Sequence, residues 1–167
     1  AIALSRKHGI VPEDIAAIEA LVPHHAVNIV CEPAELRKRP ANSYAAKFSV
    51  QYAIACALVA KKFGLAELER YGDPAILALA DKVTHSIDLA TGYPRHMSGE
   101  VIITMKSGER FSHREQVNRG APDNPLSESD ILEKFMNNAA LALPKPRAEE
   151  IADAILGMDN PHCNARE

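Results

Sequence analysis

Tryptophan is absent, and only four phenylalanines and four tyrosines serve 167 residues. So few rings leave no platform on which nucleic-acid bases would stack. Positive charge is also short: the formal net charge is −3, which gives no general attraction to nucleic acid or to an anionic membrane. Long apolar runs are missing. The longest is about nine residues, where a bilayer span needs roughly 20. No charged start followed by an apolar stretch and a small-residue cleavage site opens the chain, so no secretion signal is read. The three cysteines, Cys31, Cys56 and Cys163, are odd in number and far apart. They form no CxxC pair, which excludes a disulfide frame and a cysteine zinc site and fits a reducing cytoplasm. No glycine-rich loop has phosphate-binding spacing, no serine sits in GxSxG, and no histidines have HxH or HExxH spacing. His24 and His25 are adjacent, and neighbours in sequence rarely ligate one metal. No metal and no cofactor is expected.

What is present is a segment that is apolar on every side. A quarter of the chain is charged, yet AKFSVQYAIACALVAKKFGL, residues 46–65, runs from Val50 to Ala60 without a charge. Its alanines, its leucine and its length predict a helix. A helix apolar all round must be covered all round. One sheet face covers only one side, so a second layer of this domain, or a neighbouring domain or subunit, is expected to supply the rest.

The remaining pattern is mixed. AIALSRKHG reads as the last turns of a helix closed by Gly9. Pro12, Glu13 and Asp14 make a turn, and Ile15 to Val22, with apolar residues both alternating and paired, reads as a strand. HHAVNIVCEP is ambiguous. A basic loop, ELRKRPANSY, leads into the apolar helix, and Gly64 separates that helix from a short one in LAELERYG. Asp73 with Pro74 opens another helix. THSIDL reads as a strand. GEVIITMKSGERFSHREQV alternates on both sides of Ser107-Gly108, the pattern of a β-hairpin. A helix capped by Ser127 or Ser129 follows, and a last helix, RAEEIADAILGM, comes after Pro146. Strands and helices do not alternate regularly, so the fold class is α+β with a mainly antiparallel sheet, not a doubly wound one. Both ends read as cuts inside a larger protein.

Four segments in order carry a resemblance: RKRPANSYAAKFSVQYAIACAL, FGLAELERYGDPAILALADKV, YPRHMSGEVIITMKSGERF and APDNPLSESDILEKF. Together they resemble the MmgE/PrpD family, the 2-methylcitrate dehydratases and their relatives, which include aconitate-processing decarboxylases and an iminodisuccinate epimerase. The resemblance implies a large helical domain and a smaller α+β lid. On that reading residues 1–10 end a helix of the helical domain, 11–125 form the lid, and 126–167 return to the helical domain. It implies metal-independent chemistry on small di- and tricarboxylates, most of all a 2-methylcitrate dehydratase-like elimination, with decarboxylation or epimerisation as alternatives. It implies a homodimer in the cytoplasm, with no nucleic-acid or membrane partner. The family's main acid and base residues have no matching position here, so no catalytic residue is carried over. The matching positions are Arg39, Lys47, Ser49 and Tyr52, expected to line the cleft and orient substrate. The apolar helix is then expected to lie inside the lid, with its start turned to the cleft. A reading from another class is a free-standing, inactive module for interaction or dimerisation.

Overall fold

The computed structural model describes residues 1–158; Cys163 and the polar tail DNPHCNARE lie outside the described residues. The described residues form two compact units, residues 1–124 and 125–158.

The first unit opens with helix α1 (Ile2–His8). Gly9 ends it in the left-handed conformation, φ 62°, where a side chain would be strained. A 3-10 turn at Pro12–Asp14 leads into strand β1 (Ile15–Val22). Its pairing slips between Ile15 and Ala17, so that Ala16 is an extra residue against the partner strand. The slip resets the alternation. Ile15 and Ile18, three apart, are therefore both buried, and Ala20 and Val22 follow at the normal spacing. That is why the sequence shows apolar residues both paired and alternating.

The ambiguous HHAVNIVCEP becomes a single helical turn, α2 (His24–Ala26), running into a π-helix at Val27–Cys31. Short helices α3 (Ala34–Lys38) and α4 (Ser43–Ala46) carry the basic loop. The apolar helix α5 spans Val50–Ala60, the whole uncharged run, with Ser49 capping its start. Helices α6 (Leu65–Leu68) and α7 (Pro74–Ala80) follow, the second opened by Asp73 and Pro74 as read from sequence.

Strands β2 (Val83–Ile87), β3 (Gly99–Met105) and β4 (Arg110–Glu115) complete the sheet in the order β2-β1-β3-β4. The β1/β3 and β3/β4 pairs are antiparallel, and β1/β2 is parallel. The fold is α+β with a mixed, mostly antiparallel sheet.

Helix α5 is covered within this unit: it packs on α7, α3, β2, α1 and the π-helix. Its buried residues, Gln51, Tyr52, Ile54, Ala55, Cys56, Ala57 and Leu58, go round its whole circumference. Of these, Tyr52, Ile54, Ala55, Cys56 and Leu58 share one core with Ile15, Ile18, Ile76, Leu79, Val83 and Ile103. Each large aliphatic side chain there contributes about 1.5–3 kcal/mol by leaving water.

The second unit holds α8 (Glu128–Ala139) and α9 (Lys145–Leu156), packed on each other. Ser127 and Asp130 form a capping box at the start of α8. Pro146, expected to precede the last helix, lies inside its first turn, where its missing N–H has no intrahelical partner to lose.

Candidate functional site

The basic loop and the start of α5 are joined by one serine. Ser49 Oγ donates to the Arg37 carbonyl and accepts from the Tyr52 backbone N–H at 2.9 Å. The hydroxyl both caps α5 and pins the loop to the helix N-terminus. Ser49 is 2% exposed, so it fixes the geometry from beneath. The unsatisfied N–H groups of a helix start make that end an anion-attracting one.

The loop's cations are spent unequally. Lys38 faces Glu35 at 3.3 Å, within its own helix α3. Arg39 reaches across to Asp81 at 2.6 Å, so its charge is paired with the end of α7. Arg37 gives its Nε to the Glu32 carbonyl at 2.9 Å. Lys47 is exposed, and its Nζ lies 5.9 Å from the centre of the Tyr44 ring. Among the described residues neither Arg37 nor Lys47 faces a carboxylate within ion-pair distance.

Tyr52 lies one turn inside the helix and is fully buried. Its hydroxyl donates to the Glu67 carbonyl at 2.7 Å. Burial and the adjacent Cys56 thiol push its ionisation well above the ordinary phenol range. Gln51 is equally enclosed: its Nε2 donates to the Cys31 carbonyl at 2.8 Å, while its Oε1 has no hydrogen-bond partner among the described residues.

The four residues expected at the site thus take different positions. Lys47 and Ser49 come together at the start of α5. Arg39 belongs to the same loop but turns to Asp81. Tyr52 sits in the core behind them. Arg37 is the position to add, because its guanidinium keeps Nη groups beyond its one backbone bond. Asp81 had no signal in sequence, being 42 residues from the arginine it pairs with.

Among the described residues no group of three or more His, Cys, Asp or Glu is arranged to hold a metal ion, and no helix is long and apolar enough to cross a membrane. The model of the MmgE/PrpD C-terminal domain matches residues 1–160. No curated protein matches the chain.

Proposed function

The chain belongs to the MmgE/PrpD family, and from that premise we propose that it is the lid portion of a lyase acting on small di- or tricarboxylates. The elimination is that of a 2-methylcitrate dehydratase-like enzyme. The observation that supports this is Lys47, a lysine without a carboxylate partner among the described residues, set just before a capped helix N-terminus. Lys47, two residues before the Ser49 cap, supplies the positive charge that would hold a substrate carboxylate.

In the proposed reaction a base takes the proton from the carbon next to a carboxylate, and the electron pair forms the double bond. Hydroxide leaves from the adjoining carbon and departs as water once a general acid protonates it. Negative charge spreads onto the carboxylate as the proton leaves, so cations fixed at that carboxylate lower the barrier. The residues of this chain supply that part: Lys47, with Arg37 beside Ser49, orients and neutralises. Arg39 holds the loop through Asp81, and Ser49 locks it to α5. The acid and base come from the helical domain. Decarboxylation and epimerisation need the same cations.

The test is a steady-state assay of the complete enzyme on 2-methylcitrate and related acids, following absorbance of the new double bond. Lys47→Ala is expected to lower kcat/KM by about tenfold to a hundredfold while leaving the far-ultraviolet spectrum unchanged, the scale of one lost charge-assisted contact. An unchanged kcat/KM would remove Lys47 from the site. Turnover of none of these acids would remove the lyase reading itself.

A further inference from the structure

Two aromatic side chains stand beside Lys47. Asn42 caps helix α4, its Oδ1 accepting the Ala45 N–H at 2.8 Å. The turn then continues to Ser49. The Lys47 N–H bonds the Tyr44 carbonyl at 3.2 Å, and the Phe48 N–H bonds the Ala45 carbonyl at 3.1 Å. Tyr44 and Phe48 are four residues apart, the spacing at which side chains on a helical turn are neighbours. Their ring centres lie 5.3 Å apart, with the planes tilted by 57°. Lys47 lies between them in sequence, its Nζ 5.9 Å from the centre of the Tyr44 ring. The backbone beneath is held at both ends, by the Asn42 cap and by Ser49 with its bonds to Arg37 and Tyr52.

The rings do not exhaust each other. After they have met, Tyr44 is still 68% exposed and Phe48 36%. Tyr52, from the same stretch of sequence, shows the contrast: it is buried, and its hydroxyl is bonded to the Glu67 carbonyl. Apolar surface kept in water on a fixed backbone, next to a cation with no carboxylate within ion-pair distance among the described residues, has the make-up of a ligand surface with two parts.

The two parts ask for different groups. An ammonium takes a carboxylate. A ring face is apolar and carries the negative side of the quadrupole, so it accepts hydrocarbon and turns a carboxylate away. A ligand that satisfies both carries a carboxylate and, close to it on the same skeleton, an alkyl group. A wholly polar acid would use the lysine and leave the rings wet.

We propose that Tyr44 and Phe48 are specificity-determining residues of this site. Their rings cover the alkyl substituent of the substrate, so that an alkyl-bearing polycarboxylate is preferred to the same acid without the alkyl group. The proposal rests on the lyase reading above and adds the side chains that choose among its substrates.

The complete enzyme, assayed on 2-methylcitrate and on citrate, tests it, because the two acids differ by one methyl group. The native enzyme is expected to favour 2-methylcitrate in kcat/KM by about tenfold or more, the scale of one methyl group in an apolar site. Tyr44→Ser should cut that ratio about fourfold, the scale of a methyl group losing its apolar cover. Tyr44 is mostly exposed, so this variant should fold as the native enzyme does. Phe48→Ser should act in the same direction, and Phe48→Leu, which keeps apolar cover, should retain the preference. Lys47→Ala gives the contrast: it removes a contact to a carboxylate that both acids carry, so both rates should fall and the ratio should stay. An unchanged ratio in Tyr44→Ser and Phe48→Ser overturns the proposal; equal slowing of both acids would mean that the rings pack on protein. A native enzyme that turns over citrate as well as 2-methylcitrate overturns it too, and leaves the lyase reading standing. Turnover of neither acid removes the lyase reading and the proposal with it.

Discussion

Replacing Arg114 by Met isolates what holds the loop after β2. Asp88 is 2% exposed at its side chain and Arg114 24%. Burial alone would push the Asp88 carboxyl up. The hydrogen bonds from Arg114, the Ala90 N–H and Ser98 outweigh it and hold the group below its usual range. Methionine keeps most of the stem's volume and removes the guanidinium. Asp88 then keeps two neutral donors in place of four contacts. Stripping one partner from a fully buried pair costs about 3–5 kcal/mol. Arg114 is partly solvated and Ser98 and Ala90 remain, so about 2–3 kcal/mol is expected near pH 7. For a unit of this size that is a fall in melting temperature of roughly 10 °C.

The pH dependence fixes the cause. In the native chain the folded-state pKa of Asp88 lies below its unfolded value. Its stabilisation is present above the unfolded pKa and lost as pH falls through the folded one. In Arg114→Met burial dominates and the folded pKa rises above the unfolded value. Its penalty is then full at neutral pH and fades on acidification. The two melting curves, measured by circular dichroism, should converge below about pH 4. A gap of the same size at neutral pH and in acid would show that Arg114 acts by packing, and would refute the electrostatic account.

Ser49→Ala removes both the α5 cap and the tie to Arg37, and should cost about 1–2 kcal/mol in urea unfolding. In the complete enzyme it should also raise KM, through the freed loop. Tyr52→Phe leaves the buried Glu67 carbonyl without its 2.7 Å donor and should cost about 1–2 kcal/mol, with no change in turnover if the phenol serves only the core. Cys31 and Cys56 are buried, and burial pushes the Cys31 thiol up to about 11 and raises Cys56. Both should resist a thiol reagent at neutral pH until the chain unfolds; rapid labelling of either in the folded protein would contradict the packing.

Elements that announce themselves locally were legible. The hairpin around Ser107-Gly108, the Asp73-Pro74 start of α7 and the Gly9 stop of α1 each depend on a few adjacent residues whose turn or cap chemistry is specific. What the sequence alone left open depends on distance. No local signal states that β1 pairs with β2 in parallel across a run of helices, or that a bulge at Ala16 puts Ile15 and Ile18 on one face. The cover of α5 was left between this domain and a neighbour, and the structure supplies it from within the unit, through α7 and α3. The partner of the Cys31 carbonyl, at the end of the π-helix, is equally distant in sequence: Gln51 lies twenty residues on.

The same distinction sorts the candidate site. The family resemblance singled out Arg39, Lys47, Ser49 and Tyr52, but residue type does not say which cation is spent. Asp81 takes Arg39, and Glu35 takes Lys38. Lys47, with only an aromatic ring nearby, and Arg37, bonded through one nitrogen, keep charge to offer. A cation already neutralised at 2.6 Å recognises a carboxylate only by giving up its partner, whereas one without a partner gives up only water. If that ordering governs the site, Asp81→Asn should leave Lys47-dependent catalysis in place while loosening the loop. Lys47→Ala should cost transition-state stabilisation that no change at Asp81 restores. Equal losses in kcat/KM from the two substitutions would mean that Arg39, held in place by Asp81, is as necessary to the site as Lys47.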